Sequence, residues 1–295
     1  MKTPQQLHTP VLLDNVISLL SPKEGESYLD LTAGYGGHAS RIVSITKNEN
    51  KTTLVDRDER AIRELQSKCG LANANIIHSD FLAAARKLHE QGEKYDLILM
   101  DLGVSSVQFD EAERGFSLQK DAPLDMRMNP SQKNSAYQVV NYMSEKQLAK
   151  IIRNYGEEKP KQANRIAHAI RINRPIKTTT ELAKIIQDVS PRSGKIHPAT
   201  RTFQSIRIIV NDELTQLVEA LPIAVQMLDK SGRIGVISFH SLEDRIVKNY
   251  FNEESRSGFE ASISLLNKKP ITASMDEIVY NPRSRSAKLR GAVKK

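Results

Sequence analysis

Short apolar runs alternate with amphipathic stretches through the first hundred residues. Residues 28–31, 52–55, 75–78 and 95–100 read as strands. Helical spacing fills the gaps at about 38–45, then around Ala61, Ile62, Leu65 and Cys69, then at about 82–90. Four strands alternating with helices predict an α/β protein with a parallel, doubly wound sheet. Ahead of them, Thr9-Pro10 reads as a helix start, because threonine caps well and proline suits the first helical position. Val11, Leu12, Val16, Leu19 and Leu20 then form an apolar stripe that Ser21-Pro22 ends.

From about Gln108 to Ser205 no strand pattern persists. Ser144-Glu-Lys-Gln147 and Thr178-Thr-Thr-Glu181 fit capping boxes ahead of helices, and a further helix is expected near 162–172. The α/β pattern then resumes with a long helix over about 206–228, bent at Pro222. Ser231-Gly232 turns the chain, 233–239 reads as a strand, and a helix starts at Ser241. Short strands are expected near 261–266 and 278–280. The division predicted is 1–107, a first part of an α/β domain; 108–205, an all-helical insertion; and 206–295, the second part with a basic terminal segment.

Composition narrows the classes. The chain has 295 residues, 39% hydrophobic and 26% charged. It has no apolar run long enough for a membrane span and no signal-peptide pattern at its start. Cys69 is the only cysteine, which excludes a disulfide framework and a thiolate metal cluster. His89-Glu-Gln-Gly-Glu93 misses the H-E-x-x-H pattern at its last position, so no metal is expected. The reading is a cytoplasmic protein. A net charge of +8 points to a polyanionic partner such as nucleic acid, or to solubility alone.

The stretch 28–38 carries the candidate chemistry. An apolar strand ends on Asp30, and a turn with Gly34, Gly36 and Gly37 leads through His38 into a helix. Glycines let the backbone approach a ligand closely, and a helix start offers unpaired N–H groups. Gly34-x-Gly36-x-x-Ala39 satisfies the dinucleotide fingerprint, with Asp56 about 20 residues on, where an acid binds ribose hydroxyls. A nicotinamide cofactor is therefore one reading. S-adenosylmethionine is the other. Asp30 suits a cationic methionine end, Asp80 an adenine amine, and Phe81 the base face, while Asp101 ends the fourth strand beside a methyl acceptor. Each acid also has a plain reading as a loop or helix cap, and Phe81 as core. All four consecutive strands end in acid.

The chain resembles the bacterial small-subunit ribosomal RNA methyltransferases that act on cytosine N4, the MraW type. The matching segments include Asp30-Leu-Thr-Ala-Gly-Tyr-Gly-Gly-His38, Asp101-Leu-Gly-Val-Ser-Ser106 with Gln108, Arg114-Gly-Phe-Ser117, Tyr155-Gly-Glu-Glu158, His197-Pro-Ala-Thr-Arg201, Ser238-Phe-His-Ser-Leu-Glu-Asp244 and Pro282-Arg-Ser-Arg-Ser-Ala-Lys-Leu-Arg290. They spread from Leu7 to Arg290. Departures are small: Ala122 stands before Pro123 where the family usually has Gly, and Leu31-Thr-Ala33 replaces a commoner Ala-Thr-Leu. The resemblance implies a Rossmann-like class I S-adenosylmethionine-dependent methyltransferase sheet with an inserted helical domain that helps recognise RNA. It implies cofactor contacts from Gly36, Gly37, His38, Asp56, Phe81, Asp101 and Gln108. The partner implied is small-subunit ribosomal RNA within an assembling subunit; the oligomeric state is open, a homodimer included.

Cytosine N4 is a weak nucleophile because its lone pair is delocalised into the ring. Catalysis needs alignment with the methyl donor and an acceptor for an N4 proton. Asp101 is the candidate acceptor, with cofactor binding alone as its alternative. The aromatic platform for the base is unassigned among Phe109, Phe116 and Phe239. His197, Arg201, His240, Arg283 and Arg285 are candidate substrate contacts, and two acid-free basic groups, 281–295 and Arg192, Lys195, Arg201 and Arg207, are candidate phosphate contacts. A nicotinamide oxidoreductase and a non-catalytic RNA-binding assembly factor stand as alternative functions.

Overall fold

The structure is a computed structural model that describes residues 10–104, 111–190, 197–256 and 261–295. The chain forms two compact units. One holds Met1–Gly103 with Leu214–Lys295, and the other holds Val104–Glu213.

The first unit is built on one sheet. Its elements in chain order are α1 (Leu13–Leu20), β1 (Tyr28–Asp30), α2 (Gly37–Thr46), β2 (Thr52–Asp56), α3 (Glu59–Ser67), β3 (Asn75–His78), α4 (Phe81–Glu90) and β4 (Tyr95–Asp101). The second unit then contributes α5 (Ala136–Tyr142), α6 (Glu145–Tyr155), α7 (Pro160–Ile172), α8 (Thr179–Val189) and α9 (Thr200–Asn211). The chain continues with α10 (Glu213–Gln226), β5 (Leu228–Ser238), α11 (Ser241–Arg256), β6 (Ile263–Leu265), α12 (Met275–Tyr280) and β7 (Lys288–Lys294). The strand order is β3-β2-β1-β4-β5-β7-β6. β1 to β5 run parallel, and β7 is antiparallel to β5 and to β6. The order reverses between β1 and β4, the switch point where open α/β sheets bind ligands at their carboxyl edge.

Two apolar layers cover the sheet. Leu29, Val55, Ile98, Met100 and Val236 pack with Leu88 of α4, Leu217 and Leu221 of α10 and Phe251 of α11. Leu54, Leu97, Leu99 and Ile237 pack with Val16 and Leu20 of α1, Ile42 of α2 and Leu65 of α3. Burial on both faces explains why these strands are continuous apolar runs.

The helical unit has its own core, with Leu148, Ile152, Ile166, Ile170, Leu182, Ile186, Phe203 and Ile206 all buried. Capping boxes start α6 at Ser144 and α8 at Thr178. The loop before α5 is tied to α9 by Asn211, which accepts from the Met128 N–H (2.8 Å) and donates to the Met126 carbonyl (2.8 Å).

Several expectations are corrected. α1 starts at Leu13, because Leu12 takes a left-handed conformation (φ 56°) and breaks the turn at Pro10. The single helix over 206–228 is two helices, broken at Asp212 (φ 51°) and not at Pro222, which α10 accommodates. Residues 278–280 are helical, because Ser274 caps α12 by accepting from the Glu277 N–H. The basic terminal segment contains β7, a strand the pattern did not reveal. Lys288 and Arg290 on β7 both bind Asp244 of α11, at 3.0 and 2.7 Å, so a carboxylate already faces both charges. Among the described residues no helix is long and apolar enough to cross a membrane.

Candidate active site

The carboxyl edge of the first unit gathers the acidic strand ends. The turn after β1 is held by its own backbone: Leu31 N–H donates to Leu99 O (3.1 Å) and Ala33 N–H to Val55 O (2.8 Å). Asp56 at the end of β2 accepts from Gly34 N–H through Oδ2 (2.8 Å) and from Asp58 N–H through Oδ1 (2.7 Å). Both amides fix the carboxylate in place, and each oxygen keeps a second lone pair.

The three glycines differ in what they do. Gly34 lies at φ 51°, and a Cβ there would meet nothing nearer than Thr32 O at 4.0 Å. Its outer side is open to a ligand. Gly36 (φ 73°) would place a Cβ 2.8 Å from Leu65 Cδ2, and Gly37 would place one 2.5 Å from Pro10 Cγ. At these two the protein's own side chains press on the position a Cβ would take.

Asp30 is 1% exposed. Oδ2 accepts from the Tyr28 hydroxyl (2.7 Å) and Oδ1 from the Thr32 N–H (3.1 Å). Burial pushes its carboxyl up to about 6, against the opposing pull of Tyr28, His38 and the Thr32 amide. Burial also raises Asp56, and holds the Tyr28 hydroxyl well above its ordinary range. Asp101 is half-buried. Its N–H donates to Thr32 Oγ1 (2.6 Å), and Oδ2 lies 3.5 Å from His38 Nε2. Asp101 Oδ1 and both ring nitrogens of His38 are buried with no hydrogen-bond partner among the described residues. Groups buried in that state cost free energy until something binds them. The structure therefore brings Asp30, His38 and Asp101 together beside an open glycine turn, with polar atoms left for a ligand. Two carboxylates at this turn oppose a pyrophosphate and suit a cation.

Asp80 caps α4, accepting from the Ala83 N–H (2.8 Å). Phe81 is buried at 9% exposure, with the Arg57 guanidinium 5.9 Å from its ring centre. His240 follows β5, and its ring faces Glu243 of α11 at 3.2 Å. Glu243 in turn accepts from the Phe239 and His240 N–H groups. That network orients the loop after β5. Arg285 is exposed and Arg283 partly so, in a 3-10 turn over Pro282–Ser286. In the helical unit His197 Nδ1 accepts from the Ala199 N–H (3.1 Å), and exposed Arg201 lies 3.7 Å from Glu158. Arg207 is held by Glu213 through two contacts, 2.9 and 2.8 Å, which withdraws it from the expected phosphate group. Gln108, Phe109, Arg192 and Lys195 lie outside the described residues. Tyr28, the buried partner of Asp30, was missed from the sequence. Its only signal was its place two residues before Asp30 on the same face of β1.

A model described as the MraW methylase family matches residues 5–295. The chain is 45% identical over 301 residues to the "Ribosomal RNA small subunit methyltransferase H" of Acidobacterium capsulatum, covering 99% of each chain. It is 46% identical over 305 residues to the protein of the same name from Caldicellulosiruptor bescii, covering 97% of this chain and 99% of that one. Among solved structures it is similar to an rRNA methylase from Streptococcus thermophilus, with 11% identity, 95% and 94% coverage and a TM-score of 0.44.

Proposed function

Because the chain belongs to the MraW methylase family, we propose that the carboxyl edge of its sheet is the site of S-adenosylmethionine-dependent methylation of cytosine N4 in small-subunit (16S) ribosomal RNA. The fold is the Rossmann-like class I methyltransferase sheet. The observation that carries the site assignment is the set of buried polar atoms, Asp101 Oδ1 and the ring nitrogens of His38, that have no hydrogen-bond partner among the described residues and lie beside the open flank of Gly34. The nicotinamide reading fails on the same ground: Asp30 and Asp101 flank the turn where a pyrophosphate would lie.

S-adenosylmethionine, when bound, supplies the methyl group as an electrophilic sulfonium carbon. Gly34, Gly36, Gly37 and His38 shape the turn that would hold its methionine end. Asp30 acts from beneath as a buried negative charge. Asp56, pinned by two backbone amides, would take ribose hydroxyls, and Asp80 and Phe81 the adenine. Gln108 is assigned with them on the resemblance.

Asp101 is our candidate for the amine proton. Its Oδ1 would accept an N4–H and take that proton, which localises the nitrogen lone pair so that N–CH3 would form as the donor's S–CH3 bond breaks and a neutral thioether leaves. General base assistance of this kind contributes about 10²–10⁴-fold. His38 Nε2 lies 3.5 Å from the other oxygen of Asp101. His197, Arg201, His240, Arg283 and Arg285 are proposed as substrate contacts, and residues 108–205 as the part that helps recognise RNA. The reaction needs no metal in this reading, proceeds on an assembling subunit in the cytoplasm, and accommodates a homodimer.

The test incubates purified protein with labelled S-adenosylmethionine and either free small-subunit RNA or partly assembled subunits, then digests the RNA to nucleosides. Label in N4-methylcytidine is expected. Protein that is folded and binds the cofactor but labels neither substrate would return the non-catalytic assembly factor to the front.

A further inference from the structure

β7 is antiparallel to the rest of the parallel sheet, and its first residue, Lys288, pairs with Ser238, the last of β5. The chain that leads into β7 therefore arrives at the carboxyl edge, the edge of Asp30, Asp56 and Asp101. That chain is α12 and the 3-10 turn Pro282–Ser286.

Both pieces are firmly mounted. Ser274 Oγ accepts from the Glu277 N–H (3.1 Å), and buried Glu277 Oε1 accepts from the Leu12 N–H (2.7 Å). Leu12 follows Pro10, which packs on Gly37 of the glycine turn. Ser284 is fully buried, with its hydroxyl donating to Asn281 O (2.7 Å). Helix, turn and cofactor loop are thus tied together by short contacts.

What this mount presents to water is unusual. Met275 is 76% exposed, Val279 80% and Tyr280 66%. Arg285, five residues after Tyr280 in the chain, is exposed as well, and residues 281–295 contain no acid. Exposed apolar side chains grouped next to basic ones mark an interaction surface. An aromatic ring with a guanidinium nearby is the pair that binds single-stranded nucleic acid, the ring by stacking and the charge by phosphate contact. We infer that α12 and the 3-10 turn form a landing surface for single-stranded RNA flanking the target cytosine, with Tyr280 stacked on a base and Arg285 on a phosphate. The inference rests on the ribosomal RNA reading above and adds α12, with Tyr280 as a stacking platform, to the contacts that reading names. Asp276 lies one turn before Tyr280 and is exposed, so it borders the platform and steers the phosphates toward Arg285.

The test measures binding of fluorescently labelled single-stranded oligoribonucleotides and of small-subunit ribosomal RNA over a salt series. Tyr280→Ala is expected to weaken binding roughly tenfold, whereas Tyr280→Phe keeps the ring and stays within about twofold of wild type. Arg285→Ala should lower the slope of log affinity against log salt by about 0.7. Asp276→Asn should tighten binding. Cofactor affinity measured on each variant confirms the fold. If wild type methylates RNA and Tyr280→Ala binds RNA as tightly as wild type, the landing surface is wrong and the function stands. If Tyr280→Ala instead splits a dimer in sedimentation with RNA affinity unaltered, the occupant is a second copy of the chain and the inference is overturned. If wild type binds no RNA, the ribosomal reading falls with it.

Discussion

Asp30 offers the sharpest quantitative check on the site. Its ordinary carboxyl value is 3.8 and its folded value about 6. At about 1.4 kcal/mol per pH unit, the ionised form costs the folded state about 3 kcal/mol. The sign follows from proton counting. Between about pH 4 and 6 the folded protein holds a proton that the unfolded chain has lost. Stability therefore falls as pH rises through that window and levels off above it. Asn at position 30 has no charge to lose, so Asp30→Asn should be free of the slope. Roughly half of the cost is already incurred at pH 5, leaving on the order of 1 kcal/mol between pH 5 and 7.5. Urea unfolding of both proteins at those two pH values reads this difference directly. The comparison across pH matters because asparagine has one carbonyl oxygen and cannot accept from both Tyr28 and Thr32. Tyr28→Phe should move the window above pH 6, since its hydroxyl holds Asp30 down. A cation bound at the turn holds Asp30 ionised, so cofactor affinity should fall below about pH 6. Stability profiles of wild type and Asp30→Asn that run parallel between pH 5 and 7.5 would refute the reasoning.

Asp101→Asn should lower the single-turnover rate of methyl transfer by about 10²-fold or more; an unchanged rate would remove Asp101 from the proton path. Asp244→Ala strands Arg290, which is 8% exposed, and should destabilise the fold by about 3–5 kcal/mol in urea titration. A loss below about 1 kcal/mol would mean that α11 and β7 hold without that pair. Gly115→Ala combines φ 71° with a Cβ 2.4 Å from Pro123 O. It should cost about 1–3 kcal/mol, seen as faster amide exchange in the helical unit; wild-type exchange would show that the loop yields freely.

The local features were legible in the residues alone. Four strands with their intervening helices, the glycine turn, the acid at each strand end and the capping boxes at Ser144 and Thr178 all depend on neighbours a few positions away. Periodicity and cap chemistry report such neighbours. The tertiary structure decided what distant residues share. β7 carries Lys288 and Arg290 and reads as a basic tail until Asp244, 44 and 46 residues earlier, is found to pair with both. The helix break at Asp212 has no glycine or proline to announce it. Gly36 and Gly37 read as part of a ligand turn, and only the fold shows that Leu65 and Pro10 also press on them. The role of Asp30 also changed: the sequence shows an acid at a strand end, and only the surrounding burial turns it into a raised, proton-linked group, against the pull of the Tyr28 hydroxyl. Sequence pattern encodes which face of an element is apolar. It does not encode which remote charge or side chain meets that face, because that depends on how the sheet is wound.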